Sequence, residues 1–192
     1  WKPFTQPKVP QKKLKIGYVS PDFRNHSMMN FLLPIITHHD RQQFEIFAFA
    51  EFSKEESEDK ISLEYKSLVD HWIRTDPMND DQLAEKIREL EIDILVDLAG
   101  HTCGNRLKVF AQKPAPVSLT WLGFGYTTGL SAIDYFLTDE VMAPKGSEHL
   151  FSEELWKLGI HSKVWDPRKN NMGNVNTLPA LRNGFITFGT LT

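Results

Sequence analysis

Residues 15–26 read Lys-Ile-Gly-Tyr-Val-Ser-Pro-Asp-Phe-Arg-Asn-His, and this stretch decides the fold. Positions 15–19 alternate and place β-branched and aromatic side chains at core positions, which is typical of a buried strand. The Ser-Pro-Asp turn at 20–22 ends the strand, and an amphipathic helix is predicted over 26–38. A strand that passes through a polar turn into a helix is the opening unit of an α/β sheet.

The predicted helix over 26–38 should begin at a capping side chain, and Asn25 or Ser27 is placed to supply it. Pro34 lies inside the same helix. Because proline has no backbone N–H to donate, we expect it to kink or shorten the helix.

The same alternation of strand and helix recurs about four times along the chain. It favours a Rossmann-like, mostly parallel sheet flanked by helices. Both faces of the second strand are apolar, as in a sheet that is covered on both sides. Strands are predicted at 14–19, 44–49, 69–74, 93–98, 117–122 and 135–138, and helices at 26–38, 53–66, from 80 onward and at 105–112.

The chain divides by composition into a connector, a main lobe, a linker and the start of a further unit. The connector spans 1–13, the Rossmann-like lobe 14–165 and the polar, Pro- and Asn-rich linker 166–184. Residues 185–192 begin with a buried-strand pattern at 185–189, which predicts the first strand of a second domain. A helical turn, or equally a bend, is expected at 152–155, and the initial Trp suggests that the protein extends upstream.

Composition narrows the functional classes. The 192 residues are 41% hydrophobic and 24% charged, as in an ordinary globular protein. A formal net charge of -3 gives no reason to expect nucleic acid as a partner. No run approaches the roughly 20 apolar residues that span a bilayer, and no signal peptide is evident. The single cysteine excludes an internal disulfide, so we expect a cytoplasmic location.

Three predicted turns follow strands, at 20–26, 100–105 and 123–129. Because parallel strands end at one edge of the sheet, these turns should converge on a cleft. His26 is the candidate proton acceptor there. The alternative for His26 is a histidine that caps or packs at the start of the helix.

The other two turns carry candidate binding residues. His101 is a candidate hydrogen-bond partner, and the backbone from Thr102 to Asn105, which includes Gly104, is a candidate anion site. In the glycine-rich turn, Tyr126, Thr127 and Thr128 offer hydroxyl donors, although a plain tight connection is the alternative. Cys103 is expected to be a buried small residue.

A metal site is not expected. Adjacent His38 and His39 point in different directions on a helix, so they indicate a polar helix end.

An ordered series of short motifs resembles the catalytic region of the O-GlcNAc transferase and SPINDLY-like glycosyltransferases. The order and spacing hold over 14–158, and 185–192 resembles the entry into that family's second catalytic lobe. The matching segments are 15–26, 94–102, 114–117, 121–124, 127–130, 133–135, 138–139 and 152–155.

The resemblance implies one lobe of a two-lobed GT-B glycosyltransferase. Such an enzyme moves a sugar from UDP-GlcNAc or GDP-fucose to a Ser or Thr hydroxyl of a protein, with inversion and without a metal or other cofactor. The family usually carries tetratricopeptide repeats upstream. His26 falls on its active-site histidine, Leu122 and Gly123 on its sugar pocket, and residues 100–104 on the opposite loop.

Two departures bear on the sugar. Many members have Pro-Gly where this chain has Gly125-Tyr126, and animal members have a second histidine where this chain has Asn30. Since the family's second lobe supplies most nucleotide contacts and a lysine that assists the leaving diphosphate, we expect these 192 residues to be inactive alone. A non-catalytic α/β binding module, or another GT-B nucleotide-sugar enzyme such as an epimerase, is the alternative.

Overall fold

The computed structural model describes residues 4, 12–53, 58–159, 161–165, 174 and 176–190. Within them, one sheet has the strand order β3-β2-β1-β4-β5-β6-β7, and all neighbouring pairs are parallel. This confirms the predicted Rossmann-like α/β class. The strands are β1 (Leu14–Ser20), β2 (Phe44–Ala50), β3 (His71–Arg74), β4 (Ile94–Asp97), β5 (Val117–Thr120), β6 (Tyr135–Thr138) and β7 (Glu154–Lys157).

Helices cover the two faces of the sheet around β1 and β2. Alternate residues of β2 divide between two cores: Ile46 and Ala48 pack with α1 and α2, whereas Phe47 and Phe49 pack with α3 and α4. This confirms the prediction that both faces of the second strand are covered. The helices are α1 (Met29–His38), α2 (Lys60–Leu68), α3 (Asp80–Glu89), α4 (Leu107–Ala111) and α5 (Pro179–Asn183), and a 3-10 turn spans Glu148–Leu150.

Helix α1 begins at Met29, three residues later than predicted, and the proposed caps do not form. Met28 occupies the N-cap position without a side-chain hydrogen bond. The backbone N–H of Asn25 donates to the Asp59 carboxylate over 2.7 Å, so this residue belongs to the turn before the helix. The helix continues through Pro34, which is buried.

Of the two alternatives at 152–155, the structure shows the bend: residues 152–153 bend and lead into β7, which pairs with β6. A further prediction was wrong. Residues 185–189 do not form a strand, and Phe185, Ile186 and Phe188 are exposed. A strand needs a neighbour for its backbone hydrogen bonds, and the described residues provide none here.

The predicted connector and linker fall largely outside the described residues. In the linker, the structure describes 174 and 176–184, of which 179–183 form α5. The division of the chain into these segments therefore stays a prediction.

Tyr18 and His39 connect the central strand to the end of α1. The buried Tyr18 hydroxyl is hydrogen-bonded to His39 Nε2 over 2.7 Å. Burial raises the pKa of Tyr18, so the hydroxyl keeps its proton. Burial lowers the pKa of His39 below its ordinary 6.5, and Arg41 lowers it further against the opposing charge of Asp70. The neutral form of His39 is thus favoured in the folded protein.

This pair makes stability depend on pH. The unfolded chain binds a proton at His39 at a higher pH than the folded chain, so stability is fully present above pH 6.5 and falls as the pH drops below it. We expect His39→Gln, which keeps an acceptor but cannot titrate, to flatten the decline in urea unfolding free energy between about pH 7 and about pH 5. The exposed His149→Gln should keep the wild-type slope; an unchanged slope in His39→Gln would contradict the assignment.

Candidate active site

The turn after β1 is fixed on both sides of His26. Phe23 is fully buried and its ring contacts Tyr65 and Trp72 edge-on, at centroid distances of 5.2 and 5.6 Å. Met28 is also buried and accepts a weak hydrogen bond from the Ser20 hydroxyl. These two buried side chains hold the short polar segment 24–27, which includes His26, above the carboxyl end of β1.

Asp59 also anchors the segment 24–27, through a hydrogen bond from Asn25. One carboxylate oxygen caps α2 by accepting from the Ser62 backbone at 2.8 Å, and the other accepts from the Asn25 backbone at 2.7 Å. Its partial burial acts to raise the pKa, but the hydrogen bonds from Asn25 and Ser62 outweigh this and lower it. The residue immediately before His26 is therefore tied to a helix cap by an ionised group.

The turn after β4 is organised by the buried carboxylate of Asp97. It accepts hydrogen bonds from the backbone of Ala99 and Gly100 and from the Thr120 hydroxyl, at 3.2, 2.9 and 2.7 Å. Burial raises the pKa of Asp97, and these three donors act in the opposite direction. The ends of β4 and β5 are thereby joined.

The turns after β1, β4 and β5 meet, as predicted. A Cβ on Gly104 would lie 2.9 Å from Pro21, and one on Gly123 would lie 2.5 Å from the backbone of Ala99. Both glycines have positive φ, as does Leu122 at 63°. A left-handed non-glycine residue costs about 1–2 kcal/mol, and such strain concentrates at functional sites.

A cavity of about 320 Å³ opens between these turns. It lies outside the carboxyl ends of β1 and β4, where the strand order reverses, which is the usual ligand position in open α/β sheets. Polar side chains of the turns after β1 and β4 line it, together with Leu122 and Gly123 from the turn after β5 and one residue from the segment after β7. Its lining includes Asp22, Arg24, His26, Thr102, Cys103, Leu122, Gly123 and Lys163.

A larger depression, of about 930 Å³, lies elsewhere on the sheet. Ile94, Val117 and Tyr135, the first residues of β4, β5 and β6, line it together with Trp156. It is therefore at the amino ends of these strands, away from the three turns. We assign the site to the smaller cavity because it combines position with convergent polar groups.

The hydrogen bonding of His26 indicates its tautomer. Its Nδ1 lies 3.3 Å from the backbone N–H of Met28, which donates to it, and 3.7 Å from an oxygen of Asp22. A neutral ring that accepts at Nδ1 carries its proton on Nε2. The proton position is assigned from this contact. His26 is partly exposed and lines the cavity, so it offers an Nε2–H donor to a ligand.

The structure brings some of the predicted site residues together and leaves others apart. His26, Thr102, Leu122 and Gly123 line the cavity. His101 lies outside the lining, and its ring contacts the Phe124 ring edge-on at a centroid distance of 5.5 Å. Gly104 also lies outside the lining and packs against Pro21.

The three hydroxyl residues of the glycine-rich turn do not line the cavity. Thr127 donates to buried Glu153 over 2.7 Å, and the Thr128 backbone and hydroxyl donate to the same carboxylate. The Tyr126 ring packs on Phe151 at 5.1 Å. Their assignment as sugar or acceptor contacts stays a prediction, and this geometry favours a structural role.

Sequence reasoning missed several cavity residues. Cys103 was predicted to be buried, but it is exposed and lines the cavity, because the turn carries it past the end of the sheet. Asp22 and Arg24 sit in the polar turn but had no assigned role. No local sequence pattern marks Lys163 as a site residue, because the path of the chain after β7 brings it to the cavity.

Within the described residues, no cluster of three His, Cys, Asp or Glu side chains could hold a metal ion. None of the helices described there is long and apolar enough to cross a membrane.

Comparison with known proteins identifies the family. The model of glycosyl transferase family 41 matches residues 2–168. The chain belongs to this family. It is 37% identical over 188 residues to a protein of Arabidopsis thaliana called probable UDP-N-acetylglucosamine--peptide N-acetylglucosaminyltransferase SPINDLY, and 36% identical over 146 residues to the Caenorhabditis elegans UDP-N-acetylglucosamine--peptide N-acetylglucosaminyltransferase. These matches cover 95% and 75% of this chain but 20% and 12% of those proteins.

A solved structure supports the same conclusion. A mutant of the Thermobaculum terrenum O-GlcNAc transferase is 38% identical, with a TM-score of 0.79, over 84% of this chain and 31% of that one. The family 41 chain described here therefore has the fold of one lobe of a GT-B glycosyltransferase. The resemblance predicted from its motifs is confirmed.

The contact between Gly123 and Ala99 can be tested by a matched pair of alanine variants. Gly123 and Gly125 both have positive φ, but a Cβ on Gly125 would meet nothing within 4 Å. Both variants should lose about 1 kcal/mol from backbone strain. Gly123→Ala should lose about 1–3 kcal/mol more, because the backbone of Ala99 must move. Urea unfolding measures the difference; equal losses would show that the turns are not in close contact.

Proposed function

We propose that this chain is the first catalytic lobe of an inverting glycosyltransferase that moves a sugar from a nucleotide sugar to a Ser or Thr hydroxyl of a protein. The observation that carries the proposal is the cavity at the reversal of strand order, into which His26 opens beside the left-handed Leu122–Gly123 turn. Membership of family 41 supplies the reaction class.

The size of the cavity favours one part of the donor. About 320 Å³ is at the lower end of the range for small-molecule sites, so it suits a sugar unit better than a complete nucleotide sugar. A second lobe must then hold the nucleotide. This agrees with the chain spanning 20% of the length of the relatives it matches over nearly its whole extent.

We propose UDP-GlcNAc as the first donor to test, because the relatives are named for it. GDP-fucose is the competing donor that the SPINDLY-like motifs suggest. The acceptor would be a protein in the cytoplasm, docked with help from upstream tetratricopeptide repeats, and no metal or other cofactor would take part.

We propose that His26 binds the reacting groups through its Nε2–H. Its Nδ1 is already occupied by the Met28 backbone, which favours a hydrogen-bond donor over a proton acceptor at Nε2. A general base would need the other tautomer, with Nδ1–H donating to Asp22, and the present 3.7 Å separation would have to shorten. The arrangement thus offers two roles that can be separated by experiment.

Two substitutions distinguish donor from base, in a polypeptide that carries both lobes. A glutamine amide can replace the Nε2–H donor but cannot accept a proton at neutral pH. We expect His26→Ala to lower kcat/KM by about 100-fold and His26→Gln by less than about tenfold, since one hydrogen bond to a reacting group is at stake. Equal losses in the two variants would contradict the donor role and favour His26 as the base.

The 192 residues alone should not catalyse transfer. A half-cleft cannot orient donor and hydroxyl together, and orientation provides a large part of the rate. Incubation with radiolabelled UDP-GlcNAc or GDP-fucose and an acceptor peptide should leave the peptide unlabelled. The same lobe joined to a relative's second lobe is the positive control. Label transferred by the isolated chain would overturn this prediction.

A further inference from the structure

The segment that follows β7 is anchored at Ser162. Its backbone N–H and its hydroxyl both donate to Asp139 Oδ2, at 2.8 and 2.7 Å. Its carbonyl accepts from the indole N–H of Trp121 at 2.8 Å. Ser162 and Trp121 are both buried. Three hydrogen bonds thus fix one residue of this segment against the ends of β5 and β6.

The acceptor in this anchor receives further hydrogen bonds that favour its ionised form. Asp139 also accepts from the backbone of Val141 and Met142, both at 2.9 Å. The Ser162 backbone bond, followed by those from Met142 and the Ser162 hydroxyl, holds the pKa of Asp139 well below its ordinary range. These hydrogen bonds favour the ionised carboxylate as the acceptor of the anchor.

Lys163 is the next residue, and the anchor places it at the cavity. Its side chain is exposed, and within the described residues no carboxylate lies within 4 Å of its ammonium group. Arg24, the other basic residue of the lining, differs because it lies 3.5 Å from Asp22. With one acidic and two basic side chains in the lining, the cavity has an excess of basic groups.

We propose that Lys163 binds a phosphate oxygen of the donor's diphosphate. An ammonium group on a flexible stem suits a phosphate, which offers several acceptor oxygens. The cavity's excess of basic groups matches that anion, and the anchored backbone at Ser162 limits how far the lysine can retreat. The identity of the anion rests on the proposed function, whereas its binding does not, because a diphosphate can be tested alone.

The probe is inorganic pyrophosphate, titrated into the 192-residue chain and followed by isothermal calorimetry and by NMR shifts. We expect weak binding that decreases with added salt. Lys163→Met should weaken it about tenfold, and Lys163→Arg should retain it within about threefold, since the loss is one charge-assisted hydrogen bond. Lys145→Met is the matched control, because Lys145 is exposed but does not line the cavity.

Each outcome of these titrations either supports the proposal or overturns it. Selective loss of pyrophosphate binding in Lys163→Met supports the proposal. No binding by the wild type, equal binding by Lys163→Met, or an equal loss in Lys145→Met overturns it. UDP, uridine and GlcNAc form further arms: a Lys163 effect on UDP but not on uridine or GlcNAc assigns the contact to the diphosphate, and equal effects on all three reject it. Failure of glycosyl transfer in the two-lobed protein would refute the proposed function and leave this result standing.

Discussion

The carboxylate of Asp97 holds together the edge of the sheet on which the cleft depends. Removing an ionised carboxylate from water costs several kcal/mol unless donors replace the water. Here the backbone of Ala99 and Gly100 and the hydroxyl of Thr120 offset part of that cost, although burial still raises the pKa of Asp97. The next residue, Leu98, donates its backbone N–H to Val19. The ends of β1, β4 and β5 are therefore joined through one short segment, and the turns that follow them start from fixed positions.

From those fixed positions, the turns come into close backbone contact with one another, and these contacts shape the cavity. Gly123 lies so near Ala99, and Gly104 so near Pro21, that a methyl group does not fit at either place. The turn after β5 reaches this position by putting Leu122 in the left-handed region. The strain is sustained because the buried sheet edge leaves that turn little freedom. The cavity is thus shaped by backbone contacts, and its polar side chains are added to a rigid frame.

The sequence predicted what depends on local patterns and missed what depends on distant contacts. The strands at β1, β2, β4 and β5 follow from their apolar runs, and the convergence of their turns follows from parallel topology. β7 was missed because its four residues form a partly exposed edge strand with a weak pattern. Residues 185–189 have the apolar pattern but no neighbouring strand among the described residues. Lys163 is placed by Ser162 and Asp139, which are 23 residues apart, and no local pattern reports such a pair.

The cavity's own contacts bear on the proposal that one lobe is an incomplete site. The Thr102 hydroxyl donates to the Ala99 carbonyl, and His26 Nδ1 accepts from the Met28 backbone. The Asp22 carboxylate lies 3.5 Å from the Arg24 guanidinium. The groups we assign to the substrate are then His26 Nε2 and the Lys163 ammonium. Two contacts leave a bound molecule free to rotate about the line that joins them, and an in-line displacement tolerates little such rotation. The proposed function therefore expects further contacts from a second lobe, which is a physical reason for placing the reaction in a cleft between two.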